Sequence, residues 1–421
     1  MGSMILLSVG RLEIAWGKNH SFSDYSGLFQ ASDLQDVPYY YAGDPILDKE
    51  YEWEVITQYK EGLSKPLCEV IDRIKLLGYT LDYCRKEFRY LTELNGLETG
   101  KFHFDQLKKA LETVNVQTIS HNYGEGGEDF GKFFRRELFP RLGLETIVED
   151  PKYVQFDAGY AMENLSPHTI LMLLANNPSA KNLPVIWGFK DLEENGWAKR
   201  SDFARLPERS KRFLIVTEGS SDTKVIKHAF KLLKPHLADF FEYVDMEDGY
   251  PFAGTGNMVN FLRGLIKISV QNNVVILFDN DVAGVETYHR CHELRLLENM
   301  RVLKLPDMED FEQFNTVGPN GSHKANINGQ GAAIECYLDL PDHACVRWNN
   351  FNSRMGAYQG ELVKKTDYMR KFLSQREKIP AYNYSRIETV LDMIIRQCCE
   401  MQEVEVNREF DSVEFDLQNS R

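Results

Sequence analysis

Two acidic signals carry the chemistry this sequence offers, Glu218-Gly219-Ser220-Ser221-Asp222 and Asp279-Asn280-Asp281. Each follows a short apolar run, Phe213-Leu-Ile-Val216 and Val274-Val-Ile-Leu-Phe278. Runs this short, apolar on both faces and alternating with helical patterns, predict βαβ units and a buried parallel sheet. Ligands of such sheets bind beyond the carboxyl ends of the strands, so carboxylates from two strand ends meet in one crevice. Like charges that close do not all ionise without a cation between them. An all-oxygen donor set favours Mg²⁺ or Mn²⁺ over zinc. Residues i and i+2 at a strand exit turn to one side, which lets Asp279 and Asp281 reach the same ion. The crevice reads as a hard-metal site for phosphate chemistry. A helix-capping pair at Glu218 and Asp222 and an acidic turn at Asp279–Asp281 are the purely structural alternatives. Their occurrence together, in order and each at the end of a buried strand, favours the metal site.

Glu218 followed one strand-helix-strand passage later by Asp279-x-Asp281 resembles the Toprim signature. Topoisomerases, bacterial primases, small RNA-maturation nucleases and the overcoming-lysogenization-defect (OLD) nucleases share that domain. Asp222, four residues after Glu218, resembles the OLD-like nuclease branch. So does Asn326-Ile-Asn-Gly-Gln-Gly-Ala-Ala-Ile-Glu335-Cys-Tyr-Leu338, where the branch places a further metal-holding acid. The layout of the whole chain is similar to the prokaryotic HEPN/Toprim-associated proteins of anti-phage defence, in which a helical domain precedes one Toprim domain. The resemblance implies a Mg²⁺- or Mn²⁺-dependent endonuclease acting on DNA or RNA, working beside an ATPase partner protein. Glu218, Asp279 and Asp281 would then hold the ion that activates water, and Asp222 with Glu335 a second ion at the leaving oxygen. Glu218 is also a candidate general base. Lys324, in Ser322-His-Lys-Ala325, is a candidate for stabilising charge in the transition state. His323 beside it reads equally well as a loop residue.

These elements need a scaffold, and 421 residues are too many for one small core. The expected fold class is an α/β Toprim domain, a Rossmann-like parallel sheet with flanking helices. A mostly helical N-terminal domain and a small α+β C-terminal extension complete it. Boundaries are expected at residues 4–205 for a HEPN-like helical domain with a short β-hairpin, 206–340 for the Toprim domain and 341–421 for the extension. Within the second, strands are expected near Phe240–Val244 and at Arg301–Leu305. Gly254-Thr-Gly-Asn257 could seat a phosphate at a helix start. No Walker sequence occurs in the chain, so an ATPase would have to be a separate protein. The acids Asp307, Glu309 and Asp310 after the last of these strands read as a solvated loop or cap.

The N-terminal part opens on two strand-like runs, Ile5–Val9 and Leu12–Trp16, split by Gly10-Arg11 at hairpin spacing. Val37-Pro-Tyr-Tyr-Tyr-Ala-Gly43 reads as a packing or interface aromatic cluster, since no basic residues are interleaved for base stacking. Helical stripes follow at Leu67, Ile71, Ile74 and Leu77, then Leu81, Cys84, Phe88 and Leu91, with Gly78 as a stop and Thr80 as a cap. Further stripes are Leu107, Leu111 and Val114 and, beyond Gly124–Gly127, Phe130, Phe134 and Leu138. An RNase of the HEPN kind needs an arginine one to two helical turns before a histidine. His20, His103, His121 and His168 lack it. The N-terminal domain is therefore expected to be non-catalytic and to form a homo-oligomer or partner surface.

The net charge of −14 excludes a protein that coats nucleic acid non-specifically, because that affinity is mostly electrostatic. Any nucleic-acid contact has to use a local basic patch or a metal bridge. The join near residues 178–212, with Lys199, Arg200, Arg205, Arg209, Lys211 and Arg212, is a solvated linker or a basic rim. Seven scattered cysteines without a C-x-x-C pair exclude a zinc ribbon and suit a reducing cytoplasm. No apolar run approaches a membrane span and no signal peptide opens the chain. After Ala344–Trp348, read as a strand, helices are expected around Leu362, Tyr368 and Phe372 and around Ile387, Leu391, Ile394 and Ile395, before an acidic end that frays. A topoisomerase would need a tyrosine-bearing gate domain, and a primase a zinc module. Two other classes remain: a Toprim scaffold that binds without cleaving, and a helical-domain regulator of an ATPase.

Overall fold

The computed structural model describes residues 2–45, 53–95, 97, 102–117, 130–142, 158–244, 255–319 and 321–419. His121, Gly124–Gly127 and Gly254, singled out in the sequence, lie outside these residues. The chain divides into two compact units, Met1–Pro207 with Glu403–Arg421, and Glu208–Gln402.

The first unit is built on a five-stranded antiparallel sheet, which corrects the expectation of a mainly helical domain. Strands β1 (Met4–Val9) and β2 (Leu12–Lys18) form the expected hairpin. Strands β3 (Leu34–Pro45) and β4 (Trp53–Pro66) form a second, much longer one. Strand β5 (Pro184–Gly188) joins the two hairpins, giving the order β2-β1-β5-β4-β3. On β3, alternation brings Val37 and Tyr39 onto Ile186 of β5, with Tyr41 packed against them. Tyr39 and Tyr41 stack at 6.5 Å, and the Tyr41 hydroxyl donates to Asp191, which also pairs with Lys60 at 2.7 Å. The tyrosine cluster is thus committed to packing.

Helices then fill one side of the unit's core. Helix α1 (Leu67–Leu76) buries Leu67, Val70, Ile71 and Ile74 and stops at Gly78. Helix α2 (Leu81–Leu94) starts on the Thr80 cap, and α3 (Phe104–Thr113) buries Leu107 and Leu111. Helix α4 (Pro167–Leu174) starts on Ser166. Its His168 ring stacks on Tyr79 at 4.0 Å, and burial drives its pKa down to about 4. This histidine is a packed core residue.

The second unit contains the expected parallel sheet, in the order β10-β8-β6-β7. The strands are β6 (Phe213–Thr217), β7 (Phe241–Tyr243), β8 (Asn273–Phe278) and β10 (Met300–Lys304). Helices α5 (Ser220–Leu233), α6 (Thr255–Lys267) and α7 (Val282–His292) connect them. β8 is buried along its whole length, which is why it reads as a continuous apolar run. A two-residue strand β9 (Asn280–Asp281) continues from it and pairs with β13 (Gly331–Ala332).

A further mixed sheet, ordered β12-β11-β14-β15, belongs to the same compact unit. It comprises β11 (Phe314–Gly318), β12 (Gly321–Ala325), β14 (Val346–Asn352) and β15 (Ala357–Leu362). Leu362, expected in a helix, ends β15. Helix α8 (Lys365–Leu373) follows, and α9 (Ser385–Asn419) buries Ile387, Leu391 and Ile394. Residues 341–402, expected as an extension, thus pack within the unit that carries the acids. The end expected to fray continues α9, where Phe410 meets Tyr83 and Tyr90 edge-on. Among the described residues no helix is long and apolar enough to cross a membrane.

Candidate carboxylate site at the strand ends

Thr217, the last residue of β6, fixes the turn into α5. Its hydroxyl donates to Gly219 O at 2.9 Å and lies 2.7 Å from the Thr223 hydroxyl. That turn presents Glu218. Asp222 sits in the first turn of α5, where Gly219 N–H donates to its Oδ2 at 3.0 Å and Ser221 Oγ to its Oδ1 at 3.2 Å. Capping of α5 is therefore part of what Asp222 does, with the helix dipole favouring its charge.

The second strand end mirrors the first. Asp279 leaves β8, and its backbone N–H donates to Glu218 Oε1 at 3.3 Å. Asp281 caps α7 by accepting Gly284 N–H at 2.8 Å. Between them Asn280 is fully buried and turned the other way. It donates to Asp307 at 2.8 Å and accepts from Gly329 N–H at 3.0 Å and Lys304 at 3.2 Å. Asn280 pins the loop so that its two neighbours share a side. Gly284 makes the close approach possible, since a Cβ there would lie 2.3 Å from Asp279 O and 3.0 Å from Glu218 Oε1.

Glu335 arrives from a different element, the 3₁₀ turn Ile334–Tyr337 after β13, and is buried. The N–H of its neighbour Ile334 donates to Asp279 Oδ1 at 3.1 Å. Glu218, Asp222, Asp279, Asp281 and Glu335 all line one cleft of about 350 Å³. Asn349, Gln359, Glu361 and Lys365 line its other side. They come from β14, β15 and the start of α8, brought in where Gly331 and Gly360 meet backbone to backbone. A Cβ on Gly331 would lie 2.9 Å from Gly360 Cα. Gln359, itself fixed by Ala283 N–H at 3.2 Å, donates to Asp281 Oδ2, while Gly284 N–H holds Oδ1.

Six carboxylates and one lysine line this cleft. Burial, then Asp281 and Asp222, push the Glu218 carboxyl up to about 8. Burial and Glu335 push Asp222 up to about 7. Burial and four acidic neighbours hold Asp279 well above the usual carboxylate range. Burial also raises Asp281, against hydrogen bonds from Gly284 and Gln359 that lower it. Lys365 is raised by its Glu361 partner at 2.8 Å and by Glu335 and Asp279. Such a site keeps protons near neutrality unless a cation replaces them.

The donor set is all oxygen, which fits a hard divalent cation. Among the described residues no three acids, histidines or cysteines already converge as a metal-holding group. The fit is therefore one of donor chemistry and charge rather than of finished coordination.

The remaining sequence candidates fall elsewhere. Lys324 lies on the exposed edge strand β12, which β11 separates from the cleft-lining strands β14 and β15, and it does not line the cleft. Lys365, 41 positions later in the chain, is the cation there. Asp307 and Asp310 are engaged by Lys304 at 2.8 Å and Arg386 at 3.1 Å. The basic join is largely neutralised: Arg200 pairs with Glu61, Arg205 with Asp24 and Arg212 with Glu242. Reasoning from sequence missed Asn280, Gln359 and Glu361, and read Lys365, with Arg347, Arg354 and Lys364, as a surface cation or a substrate contact. Only Asn280 had a local signal, as the polar spacer of Asp-x-Asp before a buried strand's exit.

Comparison with known proteins found no match among curated proteins and none among solved structures. The family model described as HEPN/Toprim N-terminal domain 1 matches residues 1–211, just over half of the 421. The match covers the Met1–Pro207 part of the unit built on the antiparallel sheet, without its Glu403–Arg421 segment, and ends at the start of the acid-bearing unit. On that coverage the chain belongs to the HEPN/Toprim N-terminal domain 1 family.

Proposed function

We propose that the unit Glu208–Gln402 is a Toprim domain of the OLD-like nuclease type, hydrolysing nucleic-acid phosphodiester bonds with Mg²⁺ or Mn²⁺. The observation that carries this reading is the single cleft lined by five acids from two parallel-strand ends and one 3₁₀ turn. Burial raises the pKa of four of these, and acidic neighbours raise Glu218, Asp222 and Asp279 further. Glu218, Asp279 and Asp281 would hold one cation, and Asp222 with Glu335 a second. When bound, such ions neutralise phosphoryl charge and lower the pKa of attacking water.

The chain's own residues do the rest. Glu218 Oε1 is occupied by the Asp279 N–H, which leaves Oε2 to face the cation or, alternatively, to take a proton from water. Lys365 offers its ammonium to a phosphoryl oxygen, exchanging Glu361 for the substrate. Gln359 and the Gly284 N–H keep Asp281 from turning away. Role as an anti-phage effector, an ATPase partner, homo-oligomerisation through the first unit and a cytoplasmic setting are proposed from the family resemblance.

Labelled plasmid DNA and a bulk tRNA pool, incubated with Mg²⁺, Mn²⁺ or EDTA, test the reading. Metal-dependent cutting that disappears in Asp281→Ala supports it, and cutting that survives the substitution contradicts it. One observation favours a second reading, a Toprim scaffold that binds nucleic acid or a partner ATPase without cleaving. The acids do not converge as a ready metal-holding group. A scaffold would retain binding in Asp281→Ala and cut neither substrate with any metal.

A further inference from the structure

The cleft is negative on nearly every side, and the chain as a whole carries −14. A polyanion is repelled by such a site, so attraction for it has to come from cations beside the cleft. The mixed sheet supplies them on one face. Its registers align Ser322, Val317, Arg347 and Glu361 in one row across β12, β11, β14 and β15. Side chains two residues apart share a face. Lys324 with Asn315, and Gln359, therefore lie on the same side as that row, and Asn349, where the β14–β15 register shifts, reaches that side through its hydrogen bond to Glu361.

The opposite face carries Thr316, Val346 and Leu362, buried at 1%, 0% and 3%. The polar face is thus the solvent face, and it continues into the cleft without changing sides. Asn349, Gln359 and Glu361 line the cleft, and Asn349 donates to Glu361 at 3.2 Å. At interstrand spacing the row from Ser322 to Glu361 spans about 14 Å, more than one phosphodiester needs. Lys324 and Arg347 are exposed, and neither closes an ion pair among the described residues. Arg200, Arg205 and Arg212 of the join, by contrast, are held by partners within their own units.

We propose that this face is the track on which a polynucleotide backbone lies as it enters the cleft, with Lys324 and Arg347 contacting its phosphates. The proposal rests on the nuclease reading for why a strand enters the cleft, and its test is separable from that reading.

Fluorescein-labelled oligodeoxynucleotide and oligoribonucleotide are titrated by anisotropy, in Ca²⁺ and in EDTA, over a series of salt concentrations. Wild type is compared with Lys324→Glu/Arg347→Glu and with Lys324→Gln/Arg347→Gln, each checked for an unchanged thermal midpoint. The track predicts about tenfold weaker binding on charge reversal. In the neutral pair it predicts a salt slope smaller by about 1.4 for a single strand. The oligonucleotide held more tightly identifies the sugar. Coincident isotherms and slopes for all three proteins would overturn the track, as would a wild type that binds neither oligonucleotide. In parallel, wild-type hydrolysis of bis(p-nitrophenyl) phosphate with Mn²⁺ tests the nuclease reading alone. Charge-sensitive binding without any hydrolysis supports the track and sinks the nuclease.

Discussion

The backbone N–H of Asp279 donates to the carboxylate of Glu218 at 3.3 Å, so two parallel strands are tied at their ends through the acids themselves. Glu218 is positioned by the strand exit that delivers Asp279, and the Asp279 carboxylate in turn by Ile334 N–H beside Glu335. The same contact keeps negative charges close together, and most predictions follow from that conflict.

Metal-free protein should lose stability as pH rises. Glu218 ionises near 4.5 in a free chain and at about 8 when folded. Between those values the folded form holds a proton that the unfolded form has lost, so stability falls with rising pH across that window. Asp222, raised to about 7, adds to the fall over the lower part. Metal ligands must be deprotonated, so Mn²⁺ should raise the thermal midpoint more at about pH 8.5 than at about pH 6. Differential scanning calorimetry with and without the ion measures this, and a shift independent of pH would contradict it.

Asp279→Asn should separate stability from activity. It removes one of the mutually repelling charges, so metal-free protein gains stability while metal-dependent turnover is lost. Each kcal/mol gained appears as about 2–4 °C in the midpoint for a domain of this size. A midpoint below wild type at about pH 8 would show that the repulsion is not what strains this site.

Gly284→Ala should damage the cleft from within. Its Cβ would sit 2.3 Å from the Asp279 carbonyl oxygen, a backbone atom with no rotamer to escape into. Relief by backbone shift costs about 1–3 kcal/mol and moves both strand ends. Chemical denaturation together with turnover measures both effects, and wild-type values for either would contradict this account.

How far the sequence revealed this arrangement depended on which elements were buried on both faces. β6 and β8 were legible because their whole length is core, and their acids sit at the exits such strands impose. The β3–β4 hairpin was not. Glu54, Ile56, Thr57, Gln58 and Tyr59 are all exposed, which erases the alternation, and Pro38 and Pro45 interrupt the partner strand. Glu335 was reached through its segment's resemblance. Gln359 was not reached, nor was the place of Lys365 among the acids, because only the tertiary contact of Gly331 with Gly360 brings them to acids about 80 positions earlier in the chain. Lys324 reads from sequence as a loop cation beside the site, whereas it lies on the far edge strand of the mixed sheet, with β11 between it and the strands that line the cleft.

Lys365→Met should lower kcat by about 10²–10³ if its ammonium meets charge that develops in the transition state. Glu361→Gln frees Lys365 from its partner at 2.8 Å and should retain turnover. Steady-state kinetics on both variants decide this, and a loss in KM alone for Lys365→Met would reduce the residue to substrate binding.

Gln359→Ala should reduce metal affinity by about 10–100-fold without unfolding the protein, because it removes the donor that orients Asp281. Gln359→Glu should be worse, since it adds a charge to the acidic wall. Equal affinities for wild type and both variants would show that Asp281 needs no such support.

The measurement closest to the central claim is calorimetric titration of Mn²⁺ into metal-free protein in two buffers of different ionisation enthalpy. Wild type and Asp279→Asn/Asp281→Asn would be compared. The account predicts saturable binding to wild type with release of protons from the raised carboxyls, and loss of that binding in the double variant. Binding that persists in the variant, or a wild type that takes up no metal, would contradict it.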